Sequence, residues 1–126
     1  MGIERINPPE LGRPSGFSHA VSVTGRTIVF LAGQTAPEAS GLVAQFEQSL
    51  ASLLIALGAA GGGPADLVTM TIYVIDMDSY RAQARDIGAV WRRLAGTQYP
   101  AMAAVQVGRL WDHSALVEIQ ATAAVG

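Results

Sequence analysis

Residues 68–75 read Val-Thr-Met-Thr-Ile-Tyr-Val-Ile, a run rich in β-branched and aromatic side chains. That composition predicts a buried strand. Because side chains alternate along a strand, Met70, Ile72 and Val74 lie on one side and Tyr73 on the other. Neither side is strongly polar, so the strand has to be covered twice, by helices of its own chain or by another chain.

Two helical patterns flank this strand. Before it, apolar residues recur at spacings of three and four and predict a helix over residues 42–58. The glycines of 58–63 and Pro64 end that helix, with a glycine available for a left-handed cap. After the strand, Asp78 or Ser79 can cap a second helix. The apolar face of that helix is formed by Tyr80, Ala84, Ile87, Trp91 and Leu94.

Further strands complete the pattern. Two β-branched runs, 20–24 and 27–31, are separated by Gly25-Arg26 at hairpin spacing. Pro100 opens a strand around 102–110, and the last strand covers 116–124. The order ββαβαββ predicts a single α+β domain over residues 1–126, with both helices on one face of the sheet. The other face is left to solvent or to another subunit.

The composition favours a subunit partner and excludes several functions. Only 14% of the 126 residues are charged, against about 25% in an ordinary soluble domain, and such neutral surface predicts an oligomer. The sequence has no lysine and no cysteine, which excludes Schiff-base, thiol and thiolate-metal chemistry. A net charge of −2 without a basic run argues against nucleic acid.

The N-terminus lacks the order of a signal peptide, and the apolar stretch 50–60 is too short to span a bilayer. We therefore expect a cytoplasmic protein that does not insert into membranes.

Most of the polar constellations are better explained by structure than by chemistry. The glycines of 58–63 follow a helix, so they do not resemble a phosphate loop, which follows a strand. His19 and His113 lack a spaced carboxylate pair, so no metal site and no cofactor are predicted. The arginines of the second helix fit a solvated face. Glu118 stands apart, because it lies inside a neutral strand as either an edge charge or a deliberately placed acceptor.

Several segments together resemble the RidA/YjgF family, also called the L-PSP family. They are Gly16-Phe17-Ser18-His19-Ala20, Ala32-Gly33-Gln34, Val74-Ile75-Asp76-Met77, Tyr99-Pro100-Ala101, Arg109-Leu110 and Val117-Glu118-Ile119. The resemblance implies a chorismate mutase-like fold and a homotrimer around a central barrel. It also implies small-molecule clefts between subunits and hydrolysis of enamines or imines.

The resemblance also implies roles for individual residues. Glu118 matches the glutamate that positions water, and the resemblance places the following residues at the ligand: Phe17, Ser18, Gly33, Gln34, Met102 and Ala104. Met102 stands where the family has an arginine that clamps the substrate carboxylate, and Phe17 stands where it often has a tyrosine. Arg109 matches a different family arginine, whereas Arg13, Arg26 and His19 cannot be placed from sequence.

Three functional hypotheses follow. The first is a divergent hydrolase in which Glu118 activates water on a substrate other than a 2-imino acid. The second is a non-catalytic small-molecule-binding or accessory protein, since the arginine and the tyrosine hydroxyl are missing. Ribonuclease activity, attributed to some relatives, is the third, and the charge of the chain gives it little support.

Overall fold

The computed structural model describes residues 2–126, which form six strands and three α-helices. The strands are β1 (Ile3–Ile6), β2 (Ala20–Val23), β3 (Thr27–Gln34), β4 (Leu67–Val74), β5 (Ala101–Gln106) and β6 (Val117–Val125). The helices are α1 (Leu42–Ala59), α2 (Met77–Ala82) and α3 (Ala84–Ala95), with 3₁₀ turns at Pro9–Leu11 and Pro64–Asp66. The predicted α+β class is confirmed.

Four strands form the main sheet in the order β3-β6-β4-β5. Strand β6 runs antiparallel to β3 and β4, and β4 runs parallel to β5. The parallel pair requires a crossover, which α2 and α3 supply. Alternate residues of β4 are buried as the sequence predicts, with Met70, Ile72 and Val74 inside the core.

Helix α1 packs its apolar face on β3, β6 and α3. Its end matches the predicted cap, because Gly61 has φ +85° and the Gly62 N–H donates to the Leu57 carbonyl at 3.0 Å. By length and composition alone α1 is also apolar enough to cross a membrane, with a mean hydropathy of 1.4. Core helices of other proteins pass the same test, and 39% of this helix is buried within the protein.

The second predicted helix is two helices. Gln83, with φ −106° and ψ 15°, separates α2 from α3, and its side-chain amide donates to Ser79. The predicted cap at Asp78 or Ser79 is wrong, since the Asp76 carboxylate accepts from the Ser79 N–H at 3.1 Å. The Gln83 amide bonds the carbonyl and the hydroxyl of Ser79 one turn earlier, so it satisfies a backbone group at the end of α2 before α3 begins.

The predicted hairpin between β2 and β3 is also wrong. Strand β2 pairs antiparallel with β1, which the sequence pattern missed, and the two form a separate ribbon. Arg5 of the ribbon donates to the Ala65 and Tyr99 carbonyls at 2.8 and 3.2 Å. Arg26 pairs with Asp66 at 3.2 Å. These contacts hold the ribbon at the end of the sheet where β4 and β5 begin, so it does not extend β3.

Both long helices lie on one face of the main sheet, and the opposite face is open. Phe30 on that face is 82% exposed, and Ile28 is exposed beside it. A depression of about 240 Å³ between β3 and β4 is lined there by Phe30, Thr69, Thr71, Gln120 and Thr122, among others. Neutral residues therefore line this open face. The alternate residues Met70, Ile72 and Val74 are instead covered by the chain's own helices and are not available to another subunit.

Candidate functional site

Glu118 projects from β6 onto the open face of the sheet. Its neighbours Val117 and Ile119 are fully buried on the helix side, and its cross-strand partner is Tyr73. Glu118 is half-buried and belongs to neither of the ion pairs formed within residues 2–126. The carboxylate is therefore free to accept a hydrogen bond from water or from a ligand.

Gly33 makes room for this carboxylate. The register between β3 and β6 shifts between Leu31 and Gln34, so Gly33 lies in a bulge. A Cβ atom at position 33 would overlap the Glu118 carboxylate. The Gly33-Gln34 segment and Glu118 thus form one unit, as the family resemblance implies, and Gln34 pairs with Ile119 in the ladder.

Met102 lies in a groove on the helix side of β5, which we call the Met102 groove. Two adjoining cavities of about 310 and 180 Å³ form it and share Gly16, Ile72, Tyr80 and Met102. The larger cavity continues along α3, where it is lined by Ser15, Phe46, Ala84, Ile87, Gly88, Trp91, Arg92 and Tyr99. The smaller cavity ends at Phe17, Ala103 and Ala104. Apolar side chains dominate the lining.

The groove and Glu118 lie on opposite faces of the sheet. Met102 pairs with Met70, which is buried under the helices, whereas Glu118 pairs with Tyr73 on the open face. The chain therefore brings Phe17, Met102 and Ala104 together in the groove. Gly33 and Glu118 lie together on the open face of the sheet.

Ser18 has a structural role in the described chain. It is 4% exposed, and its hydroxyl donates to the Tyr99 carbonyl at 2.7 Å. Its N–H donates to the Pro100 carbonyl at 3.0 Å. These bonds fix the segment beside the start of β5, which places Phe17 at the end of the groove.

The residues that the sequence could not place are now located. His19 packs edge-on against Phe17, with ring centroids 5.1 Å apart, and its Nε2 lies 3.1 Å from the Gly12 carbonyl oxygen. Arg13 lines a surface cavity near Pro14, and Arg26 pairs with Asp66. Neither arginine lines the Met102 groove. The positions within residues 2–126 offer no group of three or more histidine or acidic side chains that could hold a metal ion.

Sequence reasoning missed the polar part of the groove, which comes from the helices. Burial raises the pKa of the Tyr80 hydroxyl above its ordinary 10.0, so this group stays protonated at neutral pH. Trp91 stacks on Tyr99 with centroids 5.8 Å apart, and its buried Nε1 has no acceptor within residues 2–126. The helical spacing assigned Tyr80 and Trp91 only to a core face, and Arg92 only to solvent.

The comparisons with known proteins decide the family. The family model "Endoribonuclease L-PSP" matches residues 10–125. The chain belongs to this family. The predicted resemblance to RidA/YjgF/L-PSP proteins is confirmed.

Solved structures agree with this assignment. The Rid-family protein YyfB from Yersinia pestis, described as of unknown function, is similar at 33% identity and a TM-score of 0.86, over 99% of this chain and 100% of that one. Rv2704 from Mycobacterium tuberculosis is similar at 32% identity and a TM-score of 0.66, over 98% and 100%. RidA from Psychrobacter is similar at 29% identity and a TM-score of 0.68, over 90% of this chain and 92% of that one. None of the curated proteins that were compared matches the chain.

Proposed function

We propose that this L-PSP family protein forms a homotrimer that binds a small, largely apolar molecule in the Met102 groove. The observation that carries the proposal is the lining of the groove. Met102 occupies its centre, flanked by Ile72 and Phe17. A thioether contributes dispersion contacts and adapts its shape, but it offers no positive charge.

The centre of the groove is therefore unsuited to an α-carboxylate. A charge-assisted hydrogen bond contributes about 1.5–3 kcal/mol, and a desolvated carboxylate without a partner costs more than it gains. A 2-imino acid placed with its carboxylate at Met102 would lose that bond. An uncharged group at the same position would lose nothing.

A second candidate function, hydrolysis of an enamine or imine, is favoured by the free carboxylate of Glu118 over Gly33. In this reaction water adds to the carbon of the C=N bond, the C–N bond then breaks, and a carbonyl compound and ammonia are released. Glu118 would accept a proton from the water and return it to nitrogen. Because Glu118 and Met102 lie on opposite faces of one chain, such a reaction requires a second subunit to bring its groove to Glu118.

Binding is tested with tryptophan fluorescence. Trp91 lines the groove, whereas Trp111 is 95% exposed, so Trp111→Phe leaves Trp91 as the reporter. Phenylacetamide, an uncharged aromatic probe, should change this fluorescence saturably. In that background, Met102→Arg should lower the affinity for the probe by about fivefold or more, because binding must desolvate the charge of the new arginine.

Ile55→Arg adds the same charge to the exposed side of α1 and is the matched control. It should leave probe affinity unchanged. Absence of saturable binding, or an equal loss in both variants, would overturn the binding proposal.

Hydrolysis is tested by ammonia release from 2-aminoacrylamide and 2-aminoacrylate, each generated in solution by β-elimination. The amide should be hydrolysed faster than in buffer, and Glu118→Gln should abolish the acceleration. Glu38→Gln, which removes an exposed carboxylate outside the site, is the control. No acceleration with either compound would leave the protein as a non-catalytic binder. Full activity in Glu118→Gln would refute the role of Glu118 in the hydrolysis.

A further inference from the structure

Arg92 lies at the rim of the Met102 groove, near the end of α3. It lines the larger cavity together with Trp91 and Tyr99. A Cβ atom at Gly88, four residues earlier, would lie 3.3 Å from an Arg92 guanidinium nitrogen. The guanidinium therefore folds back along the helix over Gly88, where the absence of a side chain leaves space for it.

No carboxylate neutralises this guanidinium within residues 2–126. The neighbouring Arg93 pairs with Glu47 at 3.0 Å, and Arg26 pairs with Asp66, but Arg92 belongs to neither ion pair. One end of the groove thus carries an exposed arginine that no carboxylate of residues 2–126 neutralises.

We propose that Arg92 binds the carboxylate of the ligand, so that the groove takes an amphipathic monoanion rather than a fully neutral molecule. The apolar part of the ligand lies along Trp91 and Tyr99 toward Met102. This inference rests on the proposed binding function and specifies the class of ligand. It places the anionic group at the helix end of the groove, away from position 102.

A monocarboxylate fits this site better than a phosphate dianion. A single guanidinium offers one planar fork, which matches one carboxylate. Arg92 also lies in the last turn of α3, where the helix dipole places partial negative charge and disfavours a second anionic charge. The chain has no lysine to add a further cation.

The test compares phenylacetate, phenylacetamide and phenyl phosphate on the Trp111→Phe protein. Phenylacetate should bind more tightly than phenylacetamide. Arg92→Gln should lower the affinity for phenylacetate by roughly fivefold and leave the affinity for phenylacetamide unchanged. Arg85→Gln removes an exposed positive charge from the same helix outside the groove and should change neither. The phenylacetate affinity should fall with added salt, and the phenylacetamide affinity should not.

Gly88→Ala supplies a variant that is expected to retain the stability of the fold. Alanine has the higher helix propensity, by about 1 kcal/mol, so α3 should become more stable. Its Cβ nevertheless crowds the Arg92 guanidinium. Because Gly88 also lines the groove, phenylacetamide is the control: weaker binding of phenylacetate alone would support a specific role for the folded-back guanidinium, and an equal loss for both compounds would count against it.

The outcomes separate this inference from the function on which it rests. If phenylacetamide binds but Arg92→Gln leaves phenylacetate unaffected, the anion site is refuted and groove binding stands. If neither compound binds saturably, the proposed function itself fails. Tighter binding of phenyl phosphate than of phenylacetate would refute the assignment to a carboxylate.

Discussion

Substitution of Gly33 by alanine tests the position of the Glu118 carboxylate. Gly33 is not among the glycines with positive φ, so its backbone conformation is open to alanine. The added Cβ would overlap the Glu118 carboxylate and lie 3.1 Å from the Glu118 Cγ. The Glu118 carboxylate must therefore leave its position over residue 33, and the Cγ atom must shift with it.

Two opposing free-energy terms set the size of the effect. Forcing a side chain away from its preferred rotamer costs about 0.5–1.5 kcal/mol. Replacing glycine by alanine at a compatible position stabilises a protein by about 0.4–1 kcal/mol through the unfolded state. In the wild-type background the terms nearly cancel, so Gly33→Ala alone gives a small change. In a Glu118→Ala background only the stabilising term remains, and the coupling free energy between the two positions should be about 0.5–1.5 kcal/mol.

The assay is urea unfolding of the four proteins of this double-mutant cycle at one protein concentration. Gly33→Ala should raise the free energy of unfolding in the Glu118→Ala background more than in the wild type. Glu118→Gln preserves the length of the side chain, so Gly33→Ala should be penalised there as in the wild type. If the changes in unfolding free energy of the two single mutants add up to that of the double mutant within about 0.3–0.5 kcal/mol, the packing of Glu118 over Gly33 is refuted.

Three further predictions concern burial and assembly. Ser49→Ala should raise the free energy of unfolding by about 1 kcal/mol in urea titrations, because the Ser49 hydroxyl is fully buried without a partner in the described chain; a decrease would contradict this. The raised pKa of Tyr80 means that the unfolded chain loses this proton first as the pH rises. Stability should therefore decline above about pH 10, less steeply in Tyr80→Phe; equal slopes in thermal unfolding would count against burial of the hydroxyl. Phe30→Asp places a charge on the open sheet face and should convert the proposed trimer to smaller species in sedimentation velocity, with an unaltered circular dichroism spectrum; an unchanged mass would show that this face is not the subunit interface.

The elements that local periodicity encodes could be predicted from the sequence. Residues 68–75 and 42–58 show their structure in the spacing of their own side chains, and the glycine at the end of α1 has the predicted left-handed conformation. The Gln83 break has no such signal, because it depends on hydrogen bonds of one amide to Ser79. Apolar spacing continues through it undisturbed.

Long-range pairing could not be predicted. The ribbon is held by Arg5, which donates a hydrogen bond to the Tyr99 carbonyl 94 residues away. No local sequence pattern predicts such a contact. For the same reason the motif residues Met102 and Glu118 could be assigned to one site by resemblance, although the registers of β5 and β6 against β4 place them on opposite faces. The place of Arg92 at the groove could not be predicted, because exposed helical arginines are usually solvated. Only the cavity beside Gly88 distinguishes Arg92 from the other arginines of the helix.

The place of β6 has a consequence for how this protein is made. The strand nearest the C-terminus lies between β3 and β4 and pairs Val125 with Thr27. During synthesis, β3 and β4 therefore leave the ribosome before the strand that joins them, and the sheet cannot close until β6 has emerged. Until then both strands present unpaired edges, which are the surfaces on which partly folded chains aggregate. The nascent chain is therefore expected to be most prone to aggregation before β6 is synthesised.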